Sequence, residues 1–384
     1  MTPRSLADYK RLAEARLPPF LFEYIEAGSY SEQTRLANRR DLADIALRQR
    51  VLRDVSEIDL STRLLGHDLP MPLVLGPVGM AGMMARRGEV QAVRAAGRAG
   101  VPFSLSSASC CPVEEVGAAA GGPLWFQLYL LKDRGYMAAL LERARLAGCT
   151  ALLVTVDLPC LGIRYRDYRA GISGEPWPVR LPRMAAQIAP RPHWAWNVGV
   201  RGRPHTLGNM AAAAGPGAPL AEVMGFMQAN MENRVGWEIL DWLRAHWTGP
   251  ILVKGLLDVE DARQAVQAGA DGIVVSNHGG RQLDGAPSTA RALPAIADAV
   301  AGDLAVLADG GVRTGLDVAR MLALGADAVL IGRGWAYPLA ARGEKGVAHM
   351  LALFREELRV AMALTGAVRI ADLSRASLVS GGQG

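Results

Sequence analysis

The chain has 384 residues, half of them hydrophobic and 21% charged, a globular balance that argues against extensive disorder. A formal charge of +5 with a pI near 9.2 is modest for this length, and no five-residue Lys/Arg block occurs, so a nucleic-acid partner is not expected. The length exceeds that of most single domains but suits an α/β barrel, which runs past about 250 residues as one unit.

In chain order, residues 1–70 read as helices plus a short strand or hairpin that cover one end of the remaining chain. Then come eight short apolar runs ending in Gly, Ser, Asn or Asp. They are LVLGPVGM from Leu73, FSLSSAS from Phe103, LWFQLYL from Leu124, ALLVTVD from Ala151, ILVKGLL from Ile251, GIVVSNH from Gly272, LAVLADGG from Leu304 and AVLIGRG from Ala328. Near-continuous apolar runs of this length suit parallel strands buried on both faces. Amphipathic segments such as MAALLERARLAG and VEDARQAVQAGA lie between them, several closing on a C-capping Gly. Eight such units predict an α/β fold of the (β/α)8 TIM-barrel type, with an N-terminal cap segment and a long insertion after strand four. The competing open doubly wound sheet usually carries G-x-G-x-x-G after its first strand, and none is present. We therefore expect one domain over 1–384, with residues 1–70 as the cap and 160–235 as the insertion.

About 90 residues separate strand four from strand five, and a connection this long inside a compact domain is usually functional or disordered. Residues 160–220 hold eight arginines against Asp167 and Glu175, together with Trp177, Trp194 and Trp196. Basic residues interleaved with tryptophan suit an anionic membrane surface, while a lid or an oligomer contact is the plainer alternative. No run of 18 apolar residues and no signal-peptide h-region occurs, so the chain is expected neither to be secreted nor to span a bilayer. Cys110, Cys111, Cys149 and Cys160 show neither C-x-x-C nor zinc spacing, so no disulfide framework or metal site is expected.

Catalytic groups of a TIM barrel sit at the C-terminal strand ends. Here those ends carry Gly79, Ser106, Gln127 with Tyr129, Thr155 with Asp157, Lys254, Ser276 with His278, Asp309, and Gly332 with Arg333. Strands seven and eight end in ADGGVRTG and LIGRG, so Gly310 and Gly311 open one helix and Gly332 another, with Arg313 and Arg333 nearby. Backbone N–H groups, helix dipole and guanidinium make such loops a phosphate site. In SNHGGRQLDG, His278 stands three residues before Arg281. Imidazole is a general base near neutrality and a guanidinium holds a carboxylate bidentately. Arg164 is a second candidate carboxylate anchor or a solvated loop arginine. Asp157 either stabilises a protonated His278 or caps a helix. Lys254, one of only four lysines, lies in an apolar strand and needs a negative partner there; it is a Schiff-base lysine or the counter-charge to an anionic cofactor. The methionines of 224–231 read as packing.

Together SNHGGRQLDG, ILVKGLL, LADGGVRTG, LIGRG, WFQLYLLKDR and TVD-x-P resemble the FMN-dependent α-hydroxy-acid dehydrogenase/oxidase family over Asp8 to about Leu378. LPPFLFEY, GIRYRDYRAGISG and HWAWNVGVRGRPHTLGN further resemble its bacterial branch of membrane-associated, quinone-linked L-lactate dehydrogenases. The resemblance implies oxidation of an L-2-hydroxy acid, foremost L-lactate to pyruvate, with FMN as cofactor and a quinone as acceptor. It also implies a peripheral place on the cytoplasmic side of the inner membrane, through 160–220, and a homotetramer.

Residue by residue, the resemblance makes His278 the base, supported by Asp157. Arg281, Arg164 and Tyr24 hold the carboxylate, and Tyr129 faces the substrate hydroxyl. Lys254 stands beside flavin N1/O2, while Ser106, Gln127 and Thr155 bond the ring edge. The backbone of Pro77, Val78 and Gly79 passes flavin N5. Ser276 belongs to the cofactor set, Asp309 holds the ribityl chain, and Gly310, Gly311, Arg313, Gly332 and Arg333 receive the phosphate. Ala108 stands where glycolate oxidases carry a bulky tryptophan, which leaves mandelate and glycolate open as substrates and oxygen open as acceptor. A Schiff-base aldolase barrel using Lys254 is the alternative from another class.

Overall fold

The computed structural model describes residues 2–171, 176–215 and 218–379. Eight parallel strands close a barrel: β1 Leu73–Leu75, β2 Phe103–Ser106, β3 Leu124–Tyr129, β4 Cys149–Thr155, β5 Ile251–Leu256, β6 Gly272–Val275, β7 Ala305–Ala308 and β8 Ala328–Ile331. Each pairs with its sequence neighbour, and β8 closes on β1. Each of the eight apolar runs supplies one of these strands. Closure excludes the open doubly wound sheet.

Side chains alternate along a strand, so every second residue points into the barrel. Apart from Ser104 on β2, the inward set is apolar at the lower levels, with Val74, Trp125, Leu153, Leu252, Val274, Leu307 and Leu330 in one buried cluster. One more step of two residues reaches Gln127, Thr155, Lys254, Ser276 and Asp309 at the C-terminal ends. The same periodicity thus builds a packed floor and a polar rim. The outward set packs against the surrounding helices in the larger apolar core.

The N-terminal cap segment serves both ends of the barrel rather than one. The hairpin Thr62–Leu64/His67–Leu69 inserts Leu64 and Leu69 into the inner cluster and plugs the N-terminal mouth. Its helices α1 Leu6–Arg16, α2 Pro19–Glu26 and α3 Gln33–Ala43 instead reach the opposite end, where α2 brings Tyr24 to the strand ends. Ser5 caps α1 through a reciprocal box with Asp8. Amide pairs dock α3: Asn38 Nδ2 donates to Asn277 Oδ1 and Asn277 Nδ2 donates to Asn38 Oδ1, both at 2.8 Å.

Between β4 and β5 the chain forms short helices, including Trp177–Ile188, Leu220–Ala229 and Ile239–His246. Trp194 is core, 4% exposed, with its Nε1 donating to Met83 O at 2.8 Å. Trp196, two residues on, is 59% exposed. No helix of the described residues is long and apolar enough to cross a membrane.

Candidate active site

A cleft at the C-terminal end of the barrel is lined by most of the residues singled out above: Tyr24, Pro77, Val78, Gly79, Gln127, Tyr129, Thr155, Arg164, Lys254, His278, Arg281, Asp309, Gly310, Gly311, Arg313, Gly332 and Arg333. Three others stand behind that lining. Ser106 Oγ donates to Gln127 Oε1 at 3.1 Å, and Gln127 Nε2 donates to Thr155 Oγ1 at 2.9 Å. Lys254 Nζ donates to Ser276 Oγ, which donates to Asp309 Oδ1, each at 2.8 Å. Asp157 lies behind His278. These three brace the residues that face the cleft.

His278 adopts a left-handed φ of +57°, an uncommon conformation for a residue with a Cβ. Its backbone N–H donates to Ser276 Oγ at 3.1 Å. Nδ1 donates to Asp157 Oδ1 at 3.0 Å, which leaves Nε2 as the acceptor toward the cleft. Asp157 reaches this position because β5 bulges at Gly255 (φ +116°), where a Cβ would sit 2.6 Å from that of Asp157. Burial works against the Asp157 carboxylate, but the His278 imidazole and the Lys254 ammonium hold it below its ordinary range. Asp157 therefore pairs with His278 rather than capping a helix.

Lys254 is buried, with Nζ 3.0 Å from Asp309 Oδ2. Burial works against its charge, yet Asp309 and Asp157 hold its pKa above the usual lysine range. A Schiff-base lysine needs the free amine, so this environment favours the counter-charge reading.

Across the cleft, Arg281 Nη1 donates to Tyr24 O at 2.7 Å and Ala27 O at 2.9 Å, and its guanidinium lies 5.2 Å from the Tyr24 ring centroid. Arg164 approaches Asp167 only to 3.6 Å, and its Nε has no hydrogen-bond partner among the described residues. Burial, reinforced by Arg281, pushes the Arg164 pKa down to about 10. Burial raises the phenols of Tyr24 and Tyr129 above their ordinary value, keeping both protonated. Gly79 is needed for a reason other than ligand approach alone: a Cβ there would lie 2.9 Å from the Tyr24 hydroxyl.

The glycine loops after β7 and β8 open toward the cleft, but one arginine beside them is turned elsewhere. Gly310 and Gly311 have φ of +91° and +85°, and a Cβ on Gly311 would lie 2.2 Å from Asn38 O. Gly332 opens the helix that starts at Arg333, leaving N–H groups exposed for an anion. The Arg333 guanidinium, however, is engaged largely by α2: it donates to Ile25 O at 2.8 Å, Ala27 O at 2.9 Å, Gly279 O at 3.0 Å and Glu26 O at 3.2 Å. Arg281 and Arg333, from different strand ends, thus clamp the same helix terminus. Burial pushes Arg333 down to about 9 and lowers Arg313 as well. Among the described residues neither Arg313 nor Arg333 forms a salt bridge.

Recessed cations without carboxylates point to an anionic ligand that completes the charge balance. Sequence reasoning missed several lining residues, including Ile25, Leu161, Met224 and Met227. The two methionines, read as packing, are brought to the cleft by the insertion helix Leu220–Ala229. Their helical spacing offered the only signal, and core methionines share it.

A family model described as FMN-dependent dehydrogenase matches residues 13–380. The chain belongs to this family. It is 58% identical over 373 residues to an L-lactate dehydrogenase of Stenotrophomonas maltophilia (strain K279a), covering 97% of this chain and 98% of that one. It is 57% identical over 371 residues to one of Yersinia pestis (strain Pestoides F), covering 97% of each. Among solved structures, the monotopic membrane protein (S)-mandelate dehydrogenase superposes with a TM-score of 0.91 at 35% identity, covering 99% of this chain and 100% of that one. A mandelate oxidase with (S)-2-phenylpropionate gives 0.81 at 38% identity, covering 97% of each. The glycine turns, recessed arginines and polar rim fit FMN: they offer an anion site at one end and hydrogen-bonding groups along the barrel axis.

Proposed function

We propose that this FMN-dependent dehydrogenase oxidises L-lactate to pyruvate and passes the electrons to a membrane quinone, working as a homo-oligomer, with the tetramer implied by the resemblance. The observation that carries the reading is the pairing of Nδ1 of His278 with Asp157 opposite two arginines, Arg164 and Arg281. That is a base facing a carboxylate clamp. FMN, when bound, supplies the two-electron acceptor that these side chains lack. Arg164 and Arg281 hold the substrate carboxylate, and the protonated Tyr24 and Tyr129 hydroxyls orient its oxygens. His278 Nε2 takes the proton, and Asp157 stabilises the resulting imidazolium. Lys254, held charged by Asp309 and Asp157, would offer positive charge to the cofactor. Gln127 and Thr155 would bond the ring edge, while Gly311, Arg313 and the N–H groups at Gly332 and Arg333 would hold the phosphate.

Lactate is favoured over mandelate by the higher identity to the lactate enzymes. Membrane association is supported by exposed Leu181, Trp196 and Val200 beside the insertion's arginines, and by the likeness to a monotopic membrane protein. The test is anaerobic: the purified yellow protein is mixed with L-lactate, (S)-mandelate or glycolate and its flavin absorbance followed, then reoxidised by quinone analogue or oxygen. L-Lactate is expected to bleach fastest and quinone to restore colour fastest. A protein that holds no flavin, or one that no hydroxy acid bleaches, overturns the reading.

A further inference from the structure

A second cavity, outside the cleft, lies where the N-terminal helix, the turn at residues 85–87, the kink at Gly343 and the insertion segment 193–198 meet. It encloses about 560 Å³. Its charged lining is one-sided: Arg16, Arg86, Arg87, Arg94 and Arg342 face it, against the single carboxylate of Glu115. That carboxylate is already paired with Arg87. Arg86 and Arg94 are exposed, and among the described residues neither has a hydrogen-bonded or ionic side-chain partner.

The walls are fixed by bonds that the catalytic cleft does not need. Gln91 Nε2 donates to Arg86 O at 2.6 Å, and Gln91 Oε1 accepts from Glu344 N at 2.9 Å, tying the turn to the kink. Only glycine fits at 343, where φ is +60° and a Cβ would lie 2.3 Å from Gln91 Oε1. Arg16 Nη1 donates to Ala341 O at 3.1 Å, while its Nη2 donates to the His193 ring, 2.6 Å from Nε2. Accepting that bond, the ring is neutral, and burial together with Arg16 lowers its pKa. Like charges converging on a pre-shaped hollow repel one another unless an anion fills it.

We propose that this groove is a binding site for a phosphate-bearing anion, either a phospholipid headgroup or a soluble phosphate compound. Guanidiniums in a concave cluster match phosphate oxygens through paired N–H donors. The groove includes Trp194 and Asn197, which flank the exposed Trp196, so a headgroup would be met beside an apolar surface. The site does not depend on which hydroxy acid is oxidised.

The test uses the FMN-loaded protein, so that the cofactor's own phosphate loops are filled. Sedimentation with phosphatidylcholine vesicles, with and without phosphatidylglycerol, is measured alongside calorimetric titration with pyrophosphate. The Arg86→Ala/Arg94→Ala double variant is compared with Arg145→Ala/Arg359→Ala, which removes equal charge from arginines paired to acids on their own helices. At about five-fold for each basic residue near an anionic surface, the groove variant is expected to bind about twenty-five-fold more weakly. Flavin reduction in solution is expected to be unchanged. Loss confined to phosphatidylglycerol vesicles assigns a lipid headgroup, and loss of pyrophosphate binding assigns a soluble phosphate. Equal losses in both double variants, or no binding to either probe by the unsubstituted protein, overturn the proposal.

Discussion

On the proposed function, His278 concentrates the site's chemistry in one strained residue. Its left-handed backbone, its bond to Ser276 and its Nδ1–Asp157 contact fix both the ring's orientation and its tautomer, so the free Nε2 is the only part left to react. Replacing His278 with Ala is expected to leave FMN bound while lowering turnover by roughly 10²- to 10⁴-fold, the usual worth of a positioned base. Asp157→Asn is expected to lower kcat with little change in KM, because an amide can hold the ring but cannot stabilise imidazolium. Stopped-flow flavin reduction reads both. A near-normal rate for His278→Ala would remove the assignment of the base.

Helix α2 shows how an element can be held by the same residues that form a site. Arg281 and Arg333 bind the carbonyls at its C-terminal end, where the helix dipole is negative. Glu26 on the same turn is bonded by Tyr337, Lys10 and Arg35. Burial alone would raise the Glu26 pKa, but Tyr337, Lys10 and the nearby Arg333 charge bring it down to about 2. A depressed folded-state value contributes stability that is complete above the ordinary carboxylate pKa and is lost as pH falls toward 2. Glu26→Gln is therefore expected to cost on the order of 3 kcal/mol near neutrality, with the gap from the unsubstituted protein narrowing below about pH 4.5. Denaturant melts across that pH range check it; a gap that stays constant would show that ionisation is irrelevant. At the β7 loop, Gly311→Ala places a Cβ against Asn38 O and strains a positive φ. Weaker FMN retention is the expected result, measured by flavin release on dilution.

For the whole molecule, the net positive charge has a definite geography. The insertion places Arg164 at the cleft, Trp194 in the core and Trp196 in solvent. Excising it would therefore damage the site as well as any membrane contact, and point changes are the cleaner probe. Trp196→Ser with Val200→Ser is expected to weaken vesicle binding severalfold and to leave lactate-driven flavin reduction intact. Loss of both together would mean that the exposed face serves folding instead.

The sequence by itself determined the eight strands, because parallel strands buried on both faces must be apolar throughout, and it exposed the strand-end polar residues because they interrupt that pattern. His278, Asp157, Lys254 and the paired glycines were legible for the same reason. Tertiary structure alone decided what those groups touch. It turned the Arg333 guanidinium onto the carbonyls of α2, set Gly79 beneath the hydroxyl of Tyr24, brought Met224 and Met227 to the cleft and gathered Arg16, Arg86, Arg94 and Arg342 around one hollow. Periodicity records which face of its own element a residue occupies; contacts between residues hundreds of positions apart depend on how closed elements pack, and no local pattern carries that information.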